Sequence, residues 1–183
     1  MNILIISNIR CGGFYLMKSL ARTYGLQYKH EPKNIPNNVS QLVVKIHVTA
    51  SMMNETDLSS GEYRGTNEKW WIALSNRFDH TIILDRKPTL QHLQSIYYMY
   101  HVSKDMRLQW TWDIKDVDVS SRKWNKYLHN NIIVSERLKW ISGVLNKEVC
   151  FYDDIYYKNK TGCLGELEFK PDLNKKLRKN IHK

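Results

Sequence analysis

Five side chains in this sequence have the types and spacing for group-transfer chemistry on an anionic substrate: Arg10 in ISNIRCGGFYL, Lys45 and His47 in QLVVKIH, and Arg86 and Ser95 in LDRKPTLQHLQS. A Gly12-Gly13 turn between an apolar strand and a helix aims free backbone N–H groups and the positive end of the helix dipole at one point, which suits a phosphate. Arg10 adds a fixed charge there. Lys45 and His47 are separated by one residue, so in an extended strand both project from one face. An ammonium and an imidazole at one point can stabilise growing negative charge and take up a proton. Arg86 offers a planar fork for a phosphate, and Ser95, nine residues on, adds a hydroxyl. His30 and Glu31 form a second, adjacent acid/base couple in a loop. No His, Cys or Asp cluster has metal-ligand spacing, so no metal is expected.

The elements that position these residues alternate strand with helix. Ile3 to Ser7 predicts a strand, and Leu16, Leu20 and Tyr24 mark a helix closed by Gly25. Leu26 to His30 predicts a short second strand and Gln41 to His47 a third, with the near-continuous apolar run of a strand buried on both faces. Asn67 caps a helix reaching Phe78, His80 to Arg86 is a strand, and Pro88 opens a helix through Leu90, Leu93, Tyr97 and Tyr100. A long helix from about Ser121 to Leu145 places Trp124, Tyr127, Leu128, Ile132, Leu138, Ile141 and Leu145 near one side. Glu148 to Tyr152 is the last strand, followed from about residue 158 by a basic tail. The expected class is α/β, a single domain over residues 1–183 with a mainly parallel central sheet flanked by helices. Ligands of such sheets sit beyond the carboxyl ends of the strands, a rule that gathers Arg10, Lys45, His47, Arg86 and Asp153 on one basic rim.

These strand ends resemble the sulfotransferase family, which uses 3′-phosphoadenosine 5′-phosphosulfate and has a P-loop-like fold. The resemblance runs through four separated motifs over roughly residues 1–155. Ile9-Arg10-Cys11-Gly12-Gly13-Phe14 stands where the family has Pro-Lys/Arg-Ser-Gly-Thr/Ser-Thr, keeping the basic residue and a glycine but not the proline or the hydroxyls. VVKIH resembles the strand ending in Lys-Thr-His, with Ile46 for the threonine. LDRKPTLQHLQSIYY resembles the segment whose arginine and serine bind the 3′-phosphate, and CFYDDI resembles a Tyr-Glu-Asp segment near the last strand, read as structural support through Tyr152, Asp153 and Asp154.

The resemblance implies that Arg10, Cys11, Gly12, Gly13, Phe14 and Tyr15 bind the 5′-phosphosulfate, and that Arg86 and Ser95 bind the 3′-phosphate. It implies His47 as catalytic base, with Lys45 and Arg10 steadying the transferring group. The product nucleotide would be adenosine 3′,5′-bisphosphate. The family's C-terminal Arg-Lys-Gly segment is not recognisable, and Lys175, Lys176, Arg178 and Lys179 could supply positive charge in its place. The acceptor, an amine or the hydroxyl of a sugar, phenol, lipid or peptide, is not legible. Trp70, Trp71, Tyr97, Tyr98, Trp110 and Trp112 suit either a stacking pocket or the core.

Composition leaves rivals. Lys+Arg 28 against Asp+Glu 18 gives a formal charge of +10, which favours an anionic partner and suits a nucleic-acid-binding module as well as a nucleotide enzyme. A P-loop-like kinase shares the strand-loop-helix opening, but Phe14 follows Gly13 where a Walker loop needs Lys and Ser or Thr, and Asp85 is its single Mg²⁺-ligand candidate. A nucleotide-binding fold without turnover is the third alternative. Three cysteines, Cys11, Cys150 and Cys163, show no CxxC pair, which argues for free thiols, a reducing compartment and a cytoplasmic location. No stretch has the length of a membrane span, and oligomeric state cannot be read.

Overall fold

The computed structural model describes residues 1–32, 35, 40–48, 67–87, 89–101 and 122–169. Its strands are β1 (Ile3–Ser7), β2 (Gln27–His30), β3 (Leu42–His47), β4 (His80–Asp85) and β5 (Val149–Phe151). Its helices are α1 (Gly13–Tyr24), α2 (Glu68–Ser75), α3 (Leu90–His101), α4 (Arg122–Leu145) and the short α5 (Tyr152–Tyr156). The strands form one five-stranded sheet in the order β2-β3-β1-β4-β5, and every pairing is parallel.

Both faces of the central strands are covered, which is why β1 and β3 read as near-continuous apolar runs. Ile3, Ile5, Val43 and Leu84 pack with Leu16, Met17 and Leu20 of α1 and Ile155 of α5 on one face. Leu4, Ile6, Val44, Ile46 and Ile83 pack on the other face with Trp71 and Leu74 of α2 and Leu138 and Ile141 of α4. Trp71 is therefore core rather than pocket wall.

The helix signals act where the sequence placed them. Asn67 accepts a hydrogen bond from the Trp70 backbone N–H at 3.1 Å, capping α2. Gly25 takes a left-handed φ of 64° after α1, and Leu26 N–H closes the end onto the Ala21 carbonyl at 2.8 Å. Pro88 lies outside the described residues; α3 begins at Leu90, and the Thr89 hydroxyl caps it by accepting from His92 N–H at 3.2 Å.

Four expectations need correction. Ile132 is 41% exposed, whereas Asn131 is 3% exposed, because the buried stripe of α4 runs through 124, 131, 134, 138 and 141 at helical spacing. The last strand stops at Phe151, and Tyr152 already opens α5. The chain after residue 158 is not simply a basic tail: a 3₁₀ turn at Gly162–Leu164 leads to Leu164, Leu167 and Phe169, which pack into the α1 face of the core. Cys150 and Cys163 are joined by a disulfide with Cα atoms 5.5 Å apart, because this turn folds back onto β5. Cysteine usage thus gives no argument for a reducing compartment; Cys11 alone among the described cysteines is free, and it is buried. No helix among the described residues is long and apolar enough to cross a membrane.

Candidate functional site

The chain leaves β1 toward β2 and β3 on one side and returns to β4 and β5 on the other, so the sheet order switches direction at β1. The crevice of such a sheet lies beyond the carboxyl ends of the strands flanking that switch. The loop from Asn8 to Gly12 stands there, and it is braced at every residue. Asn8 is buried; its backbone N–H donates to the Leu84 carbonyl at 3.1 Å, and its side-chain amide donates to Asp85 Oδ1 at 2.9 Å. Asn8 Oδ1 accepts from Ile9 N–H at 2.7 Å, and the Cys11 thiol donates to the Asn8 carbonyl at 2.8 Å. Tyr156 of α5 donates its hydroxyl hydrogen to the Gly12 carbonyl at 3.0 Å.

The two glycines are required for close approach. Gly12 has a left-handed φ of 77°, and a Cβ there would lie 2.6 Å from the Tyr152 ring. A Cβ on Gly13 would lie 2.8 Å from Lys45 Cε and 3.1 Å from Ser7 Oγ. The N-terminus of α1 is thereby set down directly on the Lys45 side chain, and no acidic residue stands in its first turn. Cys11 faces the core, and burial pushes its thiol up to about 11, so it enters the site through its backbone only.

On the β3 side of β1, Lys45 and His47 share one face as their spacing requires. Lys45 is 1% exposed. Its Nζ lies 3.0 Å from Glu31 Oε1 and 3.3 Å from His30 Nε2, and it also contacts His47 Nε2. Glu31 Oε1 in turn lies 2.5 Å from His47 Nδ1 and 3.2 Å from His30 Nε2. Glu31 reaches this position through a left-handed φ of 49°, its N–H extending the β2–β3 ladder by donating to the Lys45 carbonyl at 2.8 Å. Burial lowers the Lys45 and His47 pKa values, with Glu31 opposing in both cases. Burial pushes the Glu31 carboxyl upward, but His47 and Lys45 together outweigh it and bring it down to about 2.

On the β4 side, Arg10 Nε donates to Ser95 Oγ of α3 at 2.9 Å. Arg86 follows β4, lays its guanidinium 4.4 Å from the centre of the Tyr152 ring, and stands 4.0 Å from Asp153, beyond hydrogen-bonding distance. Burial lowers the Arg10 pKa; Tyr15 opposes this and Arg86 adds to it, which places the two guanidiniums within electrostatic reach of each other. His92 is 0% exposed and donates from Nε2 to the Ile9 carbonyl at 2.9 Å, tying α3 to the loop.

Burial, with smaller contributions from Arg86 and Arg10, holds His92 down to about 4, against 6.5 for a free imidazole. Between those values the unfolded chain binds more protons than the folded one, so stability is complete above 6.5 and lost as pH falls toward 4. The loss from His92 is about 3 kcal/mol across that window. Urea unfolding at about pH 7 and about pH 4.5 should show it, with His92→Asn removing that share; equal stability at the two pH values would show that His92 does not titrate as its burial requires.

The residues singled out in the sequence thus fall into two neighbouring sets. Gly13, Lys45 and His47 come together with His30 and Glu31, while Arg10, Ser95 and Arg86 gather beside Gly12 and Tyr152. Arg10 joins the second set, through Ser95, rather than the Lys45 end of the loop. Phe14 is half-buried between the core, the His30 ring at 5.1 Å and the Lys18 ammonium at 4.5 Å; Tyr15 is more exposed and meets Phe14 edge-on. Tyr97 turns toward Trp124 and Tyr127 of α4. Trp110, Trp112, the segments 52–65 and 106–119, and the basic residues Lys175, Lys176, Arg178 and Lys179 lie outside the described residues, as does the Tyr98 side chain. Sequence reasoning missed His92, Asn8 and the reach of Glu31. An apolar-face histidine at His92 and an asparagine directly after β1 were the available signals.

The three nitrogen-bearing groups around Glu31 converge on one carboxylate oxygen, and the Lys45 ammonium occupies the space between the two imidazoles. The arrangement can hold an anion at the loop and move a proton beside it. Comparison of the chain with protein-family models, with curated proteins and with solved structures finds no match.

Proposed function

We propose that this chain is a sulfotransferase of P-loop-like fold, a single domain that moves a sulfuryl group from 3′-phosphoadenosine 5′-phosphosulfate to an acceptor hydroxyl or amine. One observation carries the reading: Lys45 and His47 stand in contact with each other and directly beneath the Gly12-Gly13 start of α1, with a second basic set, Arg10, Arg86 and Ser95, at the adjoining strand end. That pairing of a proton-accepting centre with two neighbouring anion sites is what a doubly phosphorylated sulfonucleotide requires.

The residues fit such a donor. The N-terminus of α1 carries no acidic residue in its first turn, and the buried Arg86 Nε has no hydrogen-bond partner among the described residues. The loop N–H groups and Lys45 would hold the 5′-phosphosulfate, and Arg86, Ser95 and Arg10 the 3′-phosphate. The donor supplies an electrophilic sulfur with a nucleotide leaving group. His47 Nε2 receives the acceptor proton as the acceptor oxygen or nitrogen bonds to sulfur, and Lys45 offsets the charge left on the departing oxygen. Positioning and positive charge are the protein's main contributions to an in-line displacement of this kind.

The kinase alternative would need Asp85 for Mg²⁺, but Asp85 Oδ1 already accepts from Asn8 Nδ2 and from Arg86 N–H at 2.7 Å. The test is ligand-dependent melting. Adenosine 3′,5′-bisphosphate at a hundred times its Kd should add about 2.7 kcal/mol, a rise of roughly 5–10 °C for a chain of this size, and ATP with or without Mg²⁺ much less. An equal or larger rise with Mg-ATP would favour the kinase. A rise with the bisphosphate but no transfer to any acceptor would leave a nucleotide-binding module.

A further inference from the structure

The sulfuryl-transfer reading uses His47 as a base but leaves open what sets the imidazole to that task. An imidazole can accept a proton at Nε2 only if its hydrogen sits on Nδ1. In this site two independent neighbours select the same arrangement. Nδ1 lies 2.5 Å from Glu31 Oε1, a carboxylate that can only accept, so Nδ1 must donate. Nε2 meets the Lys45 ammonium, which can only donate, so Nε2 must carry the lone pair.

Glu31 is also where the backbone is strained. A left-handed φ of 49° is unfavourable for a residue with a side chain, and it occurs immediately after β2, where the turn carries the carboxylate back over β3. The same oxygen accepts from Lys45 Nζ at 3.0 Å, so one carboxylate fixes both the imidazole and the ammonium. The Glu31 side chain is 41% exposed, and it turns back onto Lys45, His47 and His30.

We infer that Glu31 is the positioning residue of this site: its carboxylate holds His47 with the hydrogen on Nδ1 and the lone pair on Nε2, and anchors the Lys45 ammonium beside it. This rests on the sulfuryl-transfer reading for its catalytic meaning, while the pairing itself stands independently. In the reaction, the acceptor proton arrives at Nε2 and the imidazolium formed is stabilised through Nδ1–H by Glu31. Lys45 must yield the lone pair of Nε2 when a donor's anionic oxygens draw its ammonium away, so donor binding readies the base. The charged and titratable groups facing His47 among the described residues are Glu31 and His30 from the end of β2 and Lys45 from β3.

The experiment is nitrogen-15 NMR of the imidazoles in the full chain, wild type and Glu31→Gln, paired with sulfate-transfer kinetics. Gln is nearly isosteric but leaves the buried Lys45 ammonium without its carboxylate, so the variant should melt below wild type, and its imidazole shifts are read at a temperature where it remains folded. Wild-type His47 should show hydrogen on Nδ1 at about pH 8. In Glu31→Gln its protonation constant should fall by roughly threefold or more, because the carboxylate that favours the imidazolium is gone. The kcat should drop roughly 10- to 100-fold with little change in donor KM, and the acid limb of kcat/KM should move to lower pH. Glu31→Asp should recover part of the loss. Hydrogen on Nε2 in the wild type, or an unmoved protonation constant in Glu31→Gln, overturns the positioning role. Intact NMR shifts in a protein that transfers no sulfate would instead retire the sulfuryl-transfer reading and leave the carboxylate–imidazole pair standing.

Discussion

Replacing His47 with alanine is expected to lower sulfate transfer by roughly 10²–10⁴-fold, the usual contribution of a positioned general base, while leaving the affinity for adenosine 3′,5′-bisphosphate within about threefold. The asymmetry follows from where His47 stands. Its two nitrogens meet Glu31 and Lys45, and neither is directed at the loop N–H groups or at the Arg10–Ser95 pair that would hold the nucleotide. Lys45 keeps its ion pair with Glu31 at 3.0 Å in the variant, so the positive charge at the leaving oxygen is retained.

His47→Asn sharpens the test. An asparagine can still donate to Glu31 and preserve the local packing, but it cannot take up a proton at neutral pH. A comparable loss in both variants identifies proton transfer as the missing function. Because burial holds the His47 pKa below that of a free imidazole, wild-type kcat/KM should fall only on the acid side of that ordinary value, and both variants should lose this limb of the profile. Turnover unchanged in His47→Ala would remove His47 from the base role and, with it, the catalytic sense of the Glu31 pair.

What the sequence made legible depended on whether an element's burial is written in its own residues. β1, β3 and β4 are central strands covered on both faces, and their apolar runs announce them; the capping Asn67 and the closing Gly25 are likewise local signals. The placement of Lys45 beside His47 also followed, since alternation along a strand is local. Contacts that depend on the chain returning from a distance were not legible. Glu31 looked like half of an adjacent loop couple because nothing in YKHE states that β2 pairs in parallel with β3 and sets His30 opposite Lys45. The Cys150–Cys163 disulfide and the docking of Leu164, Leu167 and Phe169 depend on a turn after α5 whose residues, rich in lysine and glycine, resemble an ordinary exposed tail. Ile132 misled for a different reason: its apolar side chain fits the pattern of α4 loosely, but one residue amounts to about 100° around a helix, and polar Asn131 takes the inward position.

Arg86→Ala should weaken adenosine 3′,5′-bisphosphate roughly 10- to 100-fold, the loss of about 1.5–3 kcal/mol that a charge-assisted contact supplies, and should leave adenosine 5′-phosphate within about threefold. The guanidinium is already oriented. It rests 4.4 Å over the Tyr152 ring, and Asp153 at 4.0 Å is too far to occupy its donors. Little side-chain entropy therefore remains to be lost when a phosphate binds. Arg10, fixed 2.9 Å from Ser95, places a second positive charge within reach, and an anion between the two relieves a repulsion that the free protein carries. Arg86→Lys separates charge from shape: lysine keeps the charge but loses the planar fork and the stack on Tyr152, so its affinity should fall between wild type and alanine. Titration calorimetry of the three proteins with the two nucleotides measures the six values that decide the matter. Equal weakening of both nucleotides in Arg86→Ala would mean that Arg86 supports the loop as a whole, through Tyr152 and Gly12, and the 3′-phosphate would have to be sought elsewhere on the rim.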